Sequence, residues 1–446
     1  MGATSAETDA VTSSANSSVT SSATSFETGT SASSSATRPA AGRPLPEVLV
    51  TGLGATTPLG GSLPETWSAL LAGRNGVGVL DEPWAEPLPA RLAARMRADP
   101  AGALERTLAR RLDRCEQAAL VSAREAWADA GRPETDPERV AVVIGTGVGG
   151  VLSLLGQDDV LESAGPRKVS PHTVPMLMPN GPAAWVSIDL GARGGAHAPV
   201  SACASGAEAL AYGLDLIRLG RADVVVAGGA EACLHALPLA GFARMMALST
   251  ANDDPERASR PFDAARNGFV LGEGAAALVL ERAEHARARG VRPHAVLAGA
   301  SVTSSAGHIT ASDPDGQVRS MRRAYREAGL ARADVGLVHA HATSTPQGDL
   351  AEALAVREAL GGHPAVTATK SMTGHLLGAS GALGAAVAVL SLRDGITPAI
   401  RNLDVRDPAV DLDLVTGEPR KGSWGAALAN SFGFGGHNVS LAFTEA

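Results

Sequence analysis

A chain of 446 residues with 45% hydrophobic and 19% charged residues is long enough for two or three domains, or for one large duplicated unit. Its formal net charge of −8 gives no electrostatic reason for a nucleic-acid partner, and no apolar run is read as reaching the roughly 18 to 20 residues of a membrane span. Three cysteines (Cys115, Cys203 and Cys233) cannot form a disulfide framework, and no basic-then-apolar leader is visible, so a reducing, cytoplasmic setting is expected.

Residues 1–43 are mostly Ser, Thr and Ala, too poor in large apolar side chains to offset the entropy of ordering, and are expected to be disordered. Order is expected from Leu45, where PEVLVTGLGATTPLG reads as a buried strand and a Gly-rich turn. Periodicity predicts a helix over 107–131, and RVAVVIG a second apolar strand that runs into the turn GTGVGG. HAPVSAC, a helix from Ser205 to Leu219 stopped by Gly220, and ADVVVAGG form a strand–helix–strand unit. Ala207, Leu210, Ala211, Leu214 and Ile217 mark the apolar stripe of that helix.

The second half keeps the same rhythm. A strand PHAVLAGASVTS, a helix over 316–329 and a strand VGLVHA come first. A helix through Leu360, the strand AVTAT, the turn KSMTGHLLGASG and a helix to Arg393 follow, and two strands around a glycine loop close the chain. This alternation implies an α/β fold with parallel or mixed sheets. We divide the chain into a tail (1–43), a first half (44–292) and a second half (293–446).

GTGVGG, Gly145 to Gly150, has the letters of a dinucleotide-binding turn after a strand. Glycines at a close strand–helix contact give the same letters, no helix is expected behind it, and no ribose-binding acid is in place. Cys203, in PVSACASGAEAL, has two readings. As a nucleophile it would sit ahead of a helix whose dipole favours thiolate, among small residues that let a carbonyl approach. As a small hydrophobe it would fill a core, as Cys115 and Cys233 are expected to do. The local letters leave both open.

Two of the eleven histidines stand out. His341 follows a strand and precedes Ala-Thr-Ser-Thr-Pro, and His375 lies in a polar turn five residues after Lys370. The strand–loop–helix–strand gap between them would bring both to one sheet edge, where such folds bind ligands. No i, i+4 or CxxC spacing suggests a metal site. Imidazoles beside a cysteine suit acyl transfer, because neutral rings can donate N–H bonds to an enolate or oxyanion, or carry a proton.

With these residues in view, the chain resembles the β-ketoacyl-acyl-carrier-protein synthases, nearest the elongating kind of actinobacterial type II fatty-acid and polyketide systems. The likeness runs from about Pro46 to Phe443. It rests on VSACASGAEA, VVVAGGAEA, RPFDAARNGFVLGEGA, AHATSTPQGD, TKSMTGHLLGASGA and NSFGFGGHN, in the family's order. The resemblance implies a thiolase-like fold, two similar βαβ halves stacked as a five-layered α-β-α-β-α unit. It implies a dimer, either of two copies or with a chain-length-factor-like subunit. It implies that Cys203 takes the acyl chain as a thioester. His341 and His375 would then decarboxylate the malonyl thioester and hold its enolate, with Lys370 holding the second histidine. The amides of Cys203 and Phe434 would form the oxyanion hole and Phe434 would gate the pocket. Thr343 and Thr345 would contact the phosphopantetheine arm, with His308, Thr310 and Gly435 also on the substrate side. The partner would be acyl carrier protein, which brings the phosphopantetheine, so no resident cofactor or metal is expected.

Ala342 and Gly384 depart from the family pattern: a glycine is usual at the first, and a glutamate linked to the lysine network at the second. The loop SVTSSAGHITASDPDG is read as one residue short. Among rivals, thiolases need a second, C-terminal cysteine, and chalcone-type enzymes use Cys-His-Asn. A non-catalytic chain-length factor lacks the cysteine, so Cys203 argues against it.

Overall fold

The protein is described by a computed structural model over residues 45–446; the tail expected to be disordered, residues 1–43, lies outside the described residues. Eleven strands carry the architecture. They are β1 (Val48–Thr56), β2 (Val140–Gly145), β3 (Ala196–His197), β4 (Val224–Glu231), β5 (Gly274–Arg282), β6 (Ala295–Ser304), β7 (Val335–His339), β8 (Ala365–Thr367), β9 (Asp413–Leu414), β10 (Ala426–Gly433) and β11 (His437–Thr444). The helices that cover them are α1 (Arg114–Asp129), α2 (Val151–Ala164), α3 (Gly181–Leu190), α4 (Ser205–Arg218), α5 (Pro314–Glu327), α6 (Pro346–Ala359) and α7 (Ser380–Asp394).

The strands run side by side in the order β9-β8-β7-β10-β11-β6-β1-β5-β4-β2-β3. The two halves are wound alike. From the middle outward the first half reads β1-β5-β4-β2-β3 and the second β6-β11-β10-β7-β8, the same order of chain entry in each, with β9 added at the outer edge of the second. The senses agree as well. β5 is antiparallel to both β1 and β4, with β2 parallel to β4 and to β3. β11 is likewise antiparallel to β6 and β10, with β7 parallel to β10 and β8. The halves meet through the short antiparallel pairing of Leu49–Val50 with Ala295–Val296.

Strands covered on both faces read as continuous apolar runs, as VLVTGLGAT and VAVVIG do. Alternate side chains then feed different layers. Ala141, Val143, Val225, Ala227 and Leu278 join Leu337, Ala427, Leu441 and Phe443 in a central core around α4 and α7. Val142, Ile144, Val226 and Val279 face α1 and α3 on one outside, and Val338, Val366 and Leu428 face α5 and α6 on the other. Five layers result, with α4 and α7 in the middle. From Ser380 to Leu392 every residue of α7 is buried, as a helix between two sheets must be. Truncating one such core residue, for instance Leu278→Ala, costs about 2–5 kcal/mol.

Four local expectations need correction. The helix expected over 107–131 is broken at Asp113, whose carboxylate caps α1 in a reciprocal box with Glu116 and leaves a separate turn at Arg106–Ala109. A helix does open behind GTGVGG: α2 begins at Val151, and it was invisible because none of its residues is buried, so no apolar stripe marks it. The strand in HAPVSAC is only Ala196–His197, and Cys203 stands on a separate 3-10 turn, Ala202–Ala204. Finally, Leu377–Asp394 is long and apolar enough to cross a membrane by composition, with a mean hydropathy of 1.2; it is 89% buried within the protein, as the central helix.

Candidate active site

The nucleophile turn is strained and tightly held. Ala202 has φ 51°, a left-handed conformation that costs about 1 kcal/mol for a residue with a Cβ. It is kept there by Ser205, whose hydroxyl receives the N–H of Ser201 and reaches the carbonyls of Ala202 and Thr146. Ser431 of β10 donates its hydroxyl to the Cys203 carbonyl at 2.9 Å. The turn after His375 closes on α4 at a backbone contact: a Cβ on Gly206 would stand 2.7 Å from the carbonyl oxygen of Gly378, so only glycine fits.

His375 Nε2 lies 3.0 Å from Cys203 Sγ, and its Nδ1 lies 3.0 Å from Ser380 Oγ at the start of α7. The rings of His341 and His375 meet edge-on with centroids 5.4 Å apart, and Phe269 packs edge-on against His375 at 5.2 Å. The ligand-capable atoms of Cys203, His341 and His375 all lie within 4.8 Å of one another, close enough to hold a metal ion, where the spacing along the chain had suggested no such cluster.

Burial sets the protonation states. It pushes the Cys203 thiol up to about 12, opposed by the Lys370 charge and by hydrogen bonds from the amides of Phe434 and of Cys203 itself. The helix-dipole expectation of a resting thiolate is thus outweighed by burial, and the proton must leave during reaction, with His375 as its nearest base. Burial and the nearby Lys370 charge hold both His341 and His375 well below the usual imidazole range, so both rings are neutral. Burial also pushes Lys370 down to about 8, opposed by Glu352, Cys203 and Asp349.

Lys370 was expected to hold the second histidine. Its ammonium instead donates to the backbone carbonyl of the first, His341. His375 is held by Ser380.

Four supporting residues escaped the reading of the sequence. Glu352 accepts the N–H groups of His341 (2.8 Å) and Ala342 (2.7 Å), and Asp349 accepts those of Ser344 (3.0 Å) and Phe262 (2.9 Å). Their i, i+3 spacing in GDLAE, just after TSTP, was the available signal for a shared helix face. Glu231, at the end of β4, accepts from Thr146 Oγ1, Gly147 N, Val148 N and Gly378 N. Its carboxylate therefore fills the anion nest of GTGVGG, which the dinucleotide reading would have given to a phosphate. The fourth is Ser380.

Cys203, His341, His375, Thr343, Thr345, Thr310 and Phe434 line one pocket, together with Phe242, Phe269 and Phe432. The Thr343 and Thr345 hydroxyls are 3.1 Å apart. His308 and Gly435 do not line it. His308 is exposed and its Nδ1 lies 3.2 Å from the Thr310 hydroxyl, while Gly435 donates its N–H to the carbonyl of Ile309 at 2.7 Å. Both hold the loop over the pocket. Gly384, expected near the lysine network, faces His339.

Two family models match: "Beta-ketoacyl synthase, N-terminal domain" over residues 46–286 and "Beta-ketoacyl synthase, C-terminal domain" over residues 294–404. The chain is 46% identical to the 3-oxoacyl-[acyl-carrier-protein] synthase 2 of Mycobacterium tuberculosis, over 91% of this chain and 99% of that one. Among solved structures it is similar to a β-ketoacyl synthase from Burkholderia phymatum, with a TM-score of 0.85 and 36% identity over 90% of this chain and 100% of that one. It is also similar to a type II PKS acyl-carrier protein in complex with its ketosynthase bound to the hexaketide, with a TM-score of 0.82 and 28% identity over the same shares.

Proposed function

The chain belongs to the β-ketoacyl synthase family, with its thiolase-like α/β fold, and is an acyltransferase of the condensing type; from that premise we propose that it joins an acyl group held on Cys203 to a malonyl group delivered on acyl carrier protein, in fatty-acid elongation. The observation that carries the assignment of roles is the 3.0 Å contact between Cys203 Sγ and the neutral His375 Nε2 at the base of an apolar pocket.

In the first half-reaction His375 Nε2 takes the thiol proton as sulfur attacks the acyl thioester carbonyl. The amides of Cys203 and Phe434 receive the developing oxyanion on this reading, and the carrier thiolate leaves with the proton from His375. In the second, the malonyl thioester loses carbon dioxide and its carbonyl oxygen becomes an enolate oxygen, to which the neutral rings of His341 and His375 donate N–H bonds. The enolate carbon attacks the acyl–Cys203 carbonyl, the C–S bond breaks, and the Cys203 thiolate takes up one proton from solvent to return to the resting thiol. His375 thus serves as acceptor first and donor later. Ser380 permits both, since a hydroxyl can accept from Nδ1–H or donate to bare Nδ1. On this reading no cofactor resides in the enzyme, and the phosphopantetheine arm passes Thr343 and Thr345.

A second copy is the expected partner in assembly. Among the described residues β3 ends the sheet with an open edge, α2 buries none of its residues, and Val148, Leu154, Leu161, Val174, Ile188 and Val200 are exposed nearby in sequence. Light scattering of the purified chain should give a dimer; a monomer that pairs only with a chain-length-factor-like subunit would overturn this. Nothing supports the non-catalytic alternative for this chain itself. The cytoplasm is the setting we assign, and a specialised polyketide role is the second reading, favoured by the ketosynthase complex among its structural neighbours.

Purified protein given malonyl carrier protein should release carbon dioxide, and Cys203→Ala should not be acylated. Acylation that persists in Cys203→Ala overturns the mechanism.

A further inference from the structure

His339 is a buried titratable residue that the condensation steps above do not use. It is the last residue of β7, two positions before His341, and is 2% exposed. Its Nε2 lies 3.0 Å from the hydroxyl of Thr369, the residue before Lys370, and its Nδ1 is buried with no hydrogen-bond partner among the described residues. A Cβ added to Gly384 would stand 2.7 Å from that Nδ1 and 2.9 Å from Cε1, so the ring occupies the space a side chain at 384 would need. Lys370 in turn reaches back to the carbonyl of His341. His339 therefore bridges the two segments that carry His341 and Lys370, once through two peptide units and once through its own ring.

We propose that His339 is a positioning residue for the condensation, a wedge seated over Gly384 that sets the Thr369–Lys370 turn and with it the grip of Lys370 on His341; this rests on the functional reading above. An unpartnered buried ring nitrogen ordinarily works against stability. Here the ring is retained with Gly384 cleared beneath it. Burial, reinforced by the Lys370 charge, brings its pKa down to about 3, so the ring is neutral at working pH and acts through shape and one hydrogen bond. Gly384 thereby gains a physical role: it is the hole in the buried stretch Ser380–Leu392 of α7 that admits the ring.

Two measurements test this. The first is a stability cycle by thermal unfolding. Gly→Ala inside a helix ordinarily stabilises it, whereas Gly384→Ala should lower the Tm in the wild-type background and raise it, or leave it unchanged, in His339→Ala. A stabilising Gly384→Ala with His339 present overturns the pairing. The second is malonyl-carrier-protein decarboxylation. His339→Leu keeps volume without the bond to Thr369 and should lower kcat roughly tenfold at unchanged KM, a size expected of one buried hydrogen bond that orients a reacting group. His339→Gln, whose amide reaches the Nε2 position, should recover to within about threefold of wild type by restoring that bond. Alkylation of Cys203 by iodoacetamide should be unchanged in both. A His339→Leu enzyme that is folded and decarboxylates at the wild-type rate overturns the positioning role. Absence of decarboxylation in the wild type would count against the functional reading, and the stability cycle would still decide the pairing.

Discussion

The carboxylate of Glu231 accepts the backbone N–H of Gly378 at 3.0 Å across 147 positions of chain, while its oxygens also hold Thr146, Gly147 and Val148. One buried side chain thus joins the turn that follows His375 to the turn on which Ser205, and through it the nucleophile, depends. Glu231→Ala would leave the buried N–H of Gly378 and the buried hydroxyl of Thr146, with the part-buried amides of Gly147 and Val148, without their acceptor and should cost about 2–4 kcal/mol. The expected outcome is a clearly lower Tm and slower alkylation of Cys203. Wild-type values for both would remove Glu231 from the assembly of the site.

Ser380→Ala should act on chemistry more than on stability. Without the hydroxyl, His375 loses the partner that lets it exchange tautomers between the two half-reactions. A roughly tenfold fall in kcat is expected, with Tm nearly unchanged. Equal kcat in rapid-quench turnover would show that the tautomer is set elsewhere.

Lys370 supplies a pH dependence. Burial lowers it from 10.5 to about 8, so the ammonium is present below that pH and is lost as pH rises through it. Decarboxylation should be level below about 8 and fall above it. Lys370→Met should sit on a lower plateau, about ten- to a hundredfold down, with that alkaline limb gone. The same limb in the variant, measured as a pH–rate profile, would assign it to another group.

Ala342 stands at φ 25° in the buried loop after His341, a conformation that favours glycine. The sequence alone made this a small change of little cost, and the backbone shows where the cost lies. Ala342→Gly should stabilise the protein by about 0.5–1 kcal/mol through relief of that strain, less the entropy glycine adds to the unfolded chain. A lower Tm would show that the strain is borne without cost.

The alternation of apolar strands and capped helices, and the residues that meet in the pocket, were legible because each has a local signature. A continuous apolar run marks a strand covered on both faces, and glycine, serine and threonine around Cys203, His341 and His375 mark turns that bring side chains out. α2 was not legible, since a helix with no buried residue carries no stripe to read. Residues whose meaning lies in a distant partner were not legible either. Glu231 ends an apolar strand like an ordinary surface acid, and Glu352 looks like a solvated helix residue, yet each is buried and accepts backbone N–H groups from another element.

By itself, then, the sequence determined the order of most elements, the three reacting side chains and the family they resemble, since these rest on period, turn chemistry and motif. Only the tertiary structure decided that Lys370 grips His341 and not His375, that burial keeps Cys203 a thiol at rest, that an internal carboxylate fills the GTGVGG nest, and that His339 sits over Gly384. The physical reason is common to all four: hydrogen bonds and desolvation act on distances in space, which the pattern along one strand or helix does not record.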